Sequence, residues 1–138
     1  MYFSKITTFA IVAALPAVFG SPILEARQDG TTCQTSSASP LTGDVTAVIN
    51  QLKGLGAGIL CAQTNGHASD CTTVVSSGTA SIAICGGVDD GSSAISCSDV
   101  ANYADEIQQT CLNGAPNDPN TRTGGTYTIS ASKRVEVV

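Results

Sequence analysis

The chain has 138 residues, 42% of them hydrophobic but only 4% aromatic, and its 11 acidic and six basic side chains give a formal net charge of -5. That balance argues against nucleic acid or an anionic membrane as partner, because so few cations cannot neutralise many phosphates. With one histidine, His67, and no Cys-x-x-Cys pair, zinc-site spacing is absent as well.

Lys5 precedes an apolar run from Phe9 to Phe19 that stops at Gly20, the charged, apolar and small-residue order of a signal peptide. The run falls short of the roughly 20 apolar residues needed to cross a bilayer. Pro16, Ser21 and Pro22 also argue against a retained anchor, so no integral membrane segment is expected. Residues 21–27, SPILEAR, end on Arg27 and resemble the short propeptides of secreted fungal proteins, with Gln28 as a cyclisable new N-terminus. A disordered linker is the competing reading. The expected organisation is a signal peptide over 1–20, a propeptide over 21–27 and a single disulfide-rich domain over 28–138. Loss of Lys5, Arg27 and Glu25 moves the formal charge from -5 to -6. All six cysteines stay in the domain, and an even number in so small a secreted chain predicts a disulfide framework.

Residues 30–40, GTTCQTSSASP, suit an edge strand around Cys33 that Pro40 ends. Thr42 is the expected N-cap of a first helix with Asp44 in its first turn. Val45, Val48, Ile49 and Leu52 form one apolar face, and Gly54 and Gly56 end the helix. The chain then passes through Ile59, Leu60 and Cys61 to a turn at Asn65 and Gly66.

The stretch from Cys71 to Cys85, CTTVVSSGTASIAIC, places two β-branched runs, 72–75 and 81–84, around a turn at Ser76, Ser77 and Gly78. This predicts a hairpin. Folding about Gly78 sets Val75 against Ser81, Thr73 against Ala83 and Cys71 against Cys85, the last within disulfide reach. Val74, Ile82 and Ile84 then share the opposite face, which helices must cover.

Gly86, Gly87, Asp89, Asp90, Gly91, Ser92 and Ser93 form a loop. Residues 96–99 match a helix start, and Val100, Tyr103, Ala104 and Ile107 repeat the apolar offsets of the first helix until Asn113, Gly114 and Pro116 terminate it. Cys97 and Cys111 are about 20 Å apart along that helix and cannot bond each other, so each pairs with either Cys33 or Cys61. A polar loop over 117–120 leads to an alternating run. Tyr127, Ile129, Ala131, Val135 and Val137 share one parity, and Thr128, Ser130, Ser132, Arg134 and Glu136 the other. This predicts one strand with a wet face.

The order strand, helix, strand, strand, helix, strand predicts an α+β fold, a small disulfide-stapled split βαβ sandwich with an antiparallel sheet and two helices on one face. Candidate sites are sparse. His67, Ser69 and Asp70 have the residue types of a hydrolytic triad, yet sequence neighbours rarely converge as triads do. Asp89, Asp90 and Asp99 lack the spacing of a calcium loop. Glu106, beside Asp105, reads as solvated charge on a helix. Lys133 and Arg134 resemble a dibasic processing site inside a strand. Tyr103 and Tyr127 offer no aromatic platform. No catalytic residue, cofactor or metal ligand is expected.

A cysteine before the first helix, SASPL leading into it, an apolar strand ending in a cysteine and a cysteine at each end of the second helix resemble the small secreted αβ-sandwich proteins of fungi. These are the killer toxins and the related necrosis-inducing effectors, and the resemblance covers most of residues 33–130. It implies that Cys61 bonds Cys97, leaving Cys33 for Cys111. In the chain-entropy model the Cys33 link then contributes about 4.5 kcal/mol against about 3 kcal/mol for Cys71 with Cys85. The resemblance also implies an extracellular role against another organism, and with so little site chemistry the expected protein is a non-enzymatic monomer acting on an unknown surface component of a host or competitor. A cell-wall structural or adhesive protein is the alternative, favoured by a Ser/Thr-rich, weakly charged surface.

Overall fold

The computed structural model describes residues 30–65, 70–87, 93–115 and 117–138. The leader and propeptide readings for residues 1–27, the new N-terminus at Gln28, and His67, Ser69, Asp89, Asp90 and Pro116 lie outside the described residues.

Strand β1 (Thr31–Cys33) precedes helix α1 (Thr42–Gly54), and strands β2 (Leu60–Ala62), β3 (Cys71–Ser77), β4 (Ala80–Gly86) and β5 (Ala94–Ser96) lead to helix α2 (Cys97–Thr110). Strands β6 (Leu112–Asn113), β7 (Arg122–Thr123), β8 (Gly125–Ser130) and β9 (Lys133–Val137) complete the chain. The main sheet has five antiparallel strands in the order β1-β8-β9-β4-β3, and β2 with β5 and β6 with β7 form separate two-stranded ribbons. The α+β class is therefore as the sequence indicates, with two helices packed on one face of an antiparallel sheet.

That face is set by alternation. Ile82 and Ile84 of β4 stand beside Val137 and Val135 of β9, and all four are buried. Val45, Val48, Ile49 and Leu52 of α1 and Val100, Ala104 and Ile107 of α2 close over them in one cluster. The helices are joined by Gln108, whose Nε2 donates to the Thr42 carbonyl and the Thr46 hydroxyl, and by a partly exposed Lys53–Asp105 ion pair of 3.1 Å.

All six cysteines are paired, Cys33 with Cys111, Cys61 with Cys97 and Cys71 with Cys85, the pairs expected above. Helix α2 is thus tied at its start to β2 and at its end to β1. No helix among the described residues is long and apolar enough to cross a membrane.

Three local expectations are corrected. The N-cap of α1 is Leu41, not Thr42, and its side chain cannot cap. The capping comes from the hairpin turn: the Thr79 hydroxyl accepts from the Leu41 N–H and donates to Asp44. The turn of the β3–β4 hairpin is Gly78–Thr79, so Ser77 pairs with Ala80 and Val75 with Ile82 rather than with Ser81. A bulge at Val74 absorbs the extra residue and restores Thr73 against Ala83 and Cys71 against Cys85. Finally, the single last strand is a hairpin, β8 and β9, turning at Ala131 and Ser132, with a bulge at Ile129 that keeps Tyr127 opposite Val135. The odd residues on both strands still share the core face, which is why the alternation looks continuous.

Candidate functional site

The helices leave the other face of the main sheet uncovered. Exposed Thr73 of β3, Thr128 of β8 and Arg134 of β9 stand on it, with half-buried Glu136 among them. The Cys71–Cys85 bond lies on the same face, because Cys85 pairs with Arg134 and its neighbour Ala83 with Glu136. The Glu136 Oε2 lies 3.2 Å from Cys85 Sγ and 3.8 Å from Cys71 Sγ. Disulfide sulfurs carry no hydrogen, so these are contacts and not hydrogen bonds. The three groups have the spacing of metal ligands, with their ligand atoms within 4.8 Å of one another, but the two sulfurs are spent on each other.

The remaining candidates do not converge among the described residues. Asp70 is exposed, has a φ of 53° and lends its carbonyl to the Gly86 N–H at 2.7 Å. Asp99 is exposed in the first turn of α2, where a carboxylate favours the helix N-terminus. Glu106 is half-buried and not simply solvated, because the Thr31 hydroxyl donates to its Oε1 at 3.3 Å. Tyr103 of α2 and Tyr127 of β8 stack on each other with centroids 4.5 Å apart. That contact between helix and sheet joins rings distant in sequence. Lys133 and Arg134 open β9, which lies between β8 and β4. Cleavage after Arg134 would remove the buried Val135 and Val137 from mid-sheet.

Asp44 is the acid with the clearest electrostatic role. The Thr79 backbone N–H donates to its Oδ2 at 2.8 Å and the Thr79 hydroxyl at 2.7 Å, and these bonds hold its carboxyl below the usual carboxylate range, the backbone bond most. The arrangement is structural, since it joins the hairpin turn to the start of α1. Glu136 is the residue that sequence reasoning passed over. Its parity on the wet face was visible, but the β4–β9 pairing that carries it to the disulfide was not. Comparisons with family models, with curated proteins and with solved structures find no match to this chain.

Proposed function

We propose that the protein is a secreted, non-enzymatic effector or toxin-like protein of the fungal killer-toxin and necrosis-inducing type, which acts by binding a surface component of a host or competing organism. The observation that supports this most is the cross-linking. Three bridges tie β1 and β2 to the two ends of α2 and close the β3–β4 hairpin. A small chain so stapled suits an oxidising, extracellular setting, where a core of this size needs covalent help. Binding rather than catalysis fits the scatter of Asp70, Asp99 and Glu106.

The test applies purified oxidised protein to leaf tissue and to competing yeast. Tissue death or growth arrest is expected, from wild type and His67→Ala alike. Activity lost in His67→Ala at an unchanged melting temperature would replace the binding reading with a catalytic one. A wall-constituent reading has one observation in its favour, the Thr-bearing uncovered face, with Thr32, Thr73 and Thr128 exposed. Retention of the protein by detergent-washed walls instead of release to culture fluid would select it.

A further inference from the structure

The carboxylate against the hairpin disulfide is unexplained by folding alone. Among the described residues, the polar groups within reach of the Glu136 carboxylate are the two sulfurs, neither of which has a hydrogen to donate. The neighbouring Asp70 carbonyl accepts from Gly86, so Asp70 with Gly86 is a hydrogen-bonded position and Cys71 with Cys85 is the adjoining non-hydrogen-bonded one. Side chains stand closest at such positions. Breaking the bond would give Cys85 a hydrogen at 3.2 Å from an oxygen already in place to accept it.

We propose that Cys71–Cys85 is a thiol-exchange site, at which a small thiol of the glutathione type bonds to Cys71 and Glu136 holds the released thiol of Cys85. The thiolate attacks Cys71 Sγ in line with the sulfur–sulfur bond. A new bond forms between the incoming sulfur and Cys71, the old bond breaks, and its electron pair leaves on Cys85 Sγ, which takes a proton from solvent. The incoming thiol is oxidised into the mixed disulfide and Cys85 is reduced to a thiol, so atoms and electrons balance. Direction follows from topology. β3 is the sheet edge and β4 lies inside it, so the line from Cys85 to Cys71 leads off the sheet, whereas attack on Cys85 would come from over β9, where Glu136 stands. Burial agrees, Cys85 being fully buried and Cys71 partly exposed. Glu136 acts as a positioning residue, by stabilising the opened state.

The experiment equilibrates the folded protein in a glutathione redox buffer, quenches with an alkylating agent and maps peptides by mass. Wild type should carry glutathione on Cys71 and a free thiol at Cys85. Glu136→Ala should shift that pair toward the closed disulfide by about tenfold, the size of one hydrogen bond to a carboxylate. Glu136→Gln should restore part of the shift. The melting temperature of the oxidised variants and the equilibrium of Cys33–Cys111, whose Cys33 is also exposed, should not move. Glutathione found on Cys85, or an unaltered Cys71–Cys85 equilibrium in Glu136→Ala, would overturn the proposal.

Discussion

The two hairpins of the main sheet meet the same register requirement with different chemistry at the turn. Each has a two-residue turn and one bulge, at Val74 in β3–β4 and at Ile129 in β8–β9, so that residues near the open end face each other on the correct side. The first turn holds Gly78 in the left-handed region at a φ of 59°, as tight hairpin turns favour. The second is Ala131–Ser132 and holds no glycine. Its glycine is across the sheet: Gly86, at a φ of 75°, leaves room for the Ser132 carbonyl. A turn without its own glycine is thus accommodated by one on the neighbouring strand. The β3–β4 turn is instead fastened by side chains, with Asp44 and Thr79 joining it to α1.

The largest difference should appear on filling the two glycines. At Gly86 a Cβ would clash with the Ser132 backbone, which cannot turn aside, and the φ is itself unfavourable for alanine. Gly86→Ala should therefore cost about 3 kcal/mol in denaturant unfolding. At Gly78 the Cβ would meet the Asp44 carboxylate at 2.5 Å, the end of a side chain that can swing aside by loosening its bonds to Thr79. Gly78→Ala should cost less, about 1–2 kcal/mol. Equal losses would show that the backbone contact at Gly86 is not what sets the second turn.

Next in size is Thr79→Ala, which removes the hydroxyl shared by the Leu41 N–H and Asp44. A loss of about 1 kcal/mol is expected, that of a helix cap. A loss near zero would mean that the hydroxyl adds nothing to what packing and the Thr79 backbone N–H bond to Asp44 already supply.

The two hairpins were not equally legible. Gly78 between β-branched runs announces the first, although a symmetric fold about Gly78 puts the turn at Ser76–Gly78 instead of Gly78–Thr79, because it ignores the bulge at Val74. The second is hidden, because a bulge at Ile129 preserves odd-even parity through the turn and Ala131–Ser132 carries no Gly, Pro, Asn or Asp, only the weaker signal of a serine. The apolar faces of both helices follow from their offsets, but α2 ends at Thr110, ahead of the expected stop at Asn113, which instead lies in β6. The pairing of β2 with β5 is not legible because three-residue strands carry too little pattern. Of the site, the cysteines were visible in sequence, but Glu136 reaches them only through the β4–β9 pairing, a contact between distant segments.

The smallest effect concerns acid. Because the folded pKa of Asp44 is depressed from 3.8, its bonds to Thr79 add stability above that value and lose it as pH falls through the lower folded one. The melting temperature of wild type should exceed that of Asp44→Asn at neutral pH, and the gap should close as pH falls below 3.8. A gap independent of pH would assign the difference to something other than the carboxylate charge.

That the sheet is built on a hairpin closed by Cys71 and Cys85 is tested most directly by non-reducing cleavage before aspartates. This separates peptides 29–43, 44–69, 70–88, 90–98 and 105–117, so every bridge is read from which peptides travel together. Peptide 70–88 should be released alone with its two cysteines joined, while 44–69 is linked to 90–98 and 29–43 to 105–117. Peptide 70–88 found bonded to any of the others would contradict the hairpin and the exchange site built on it.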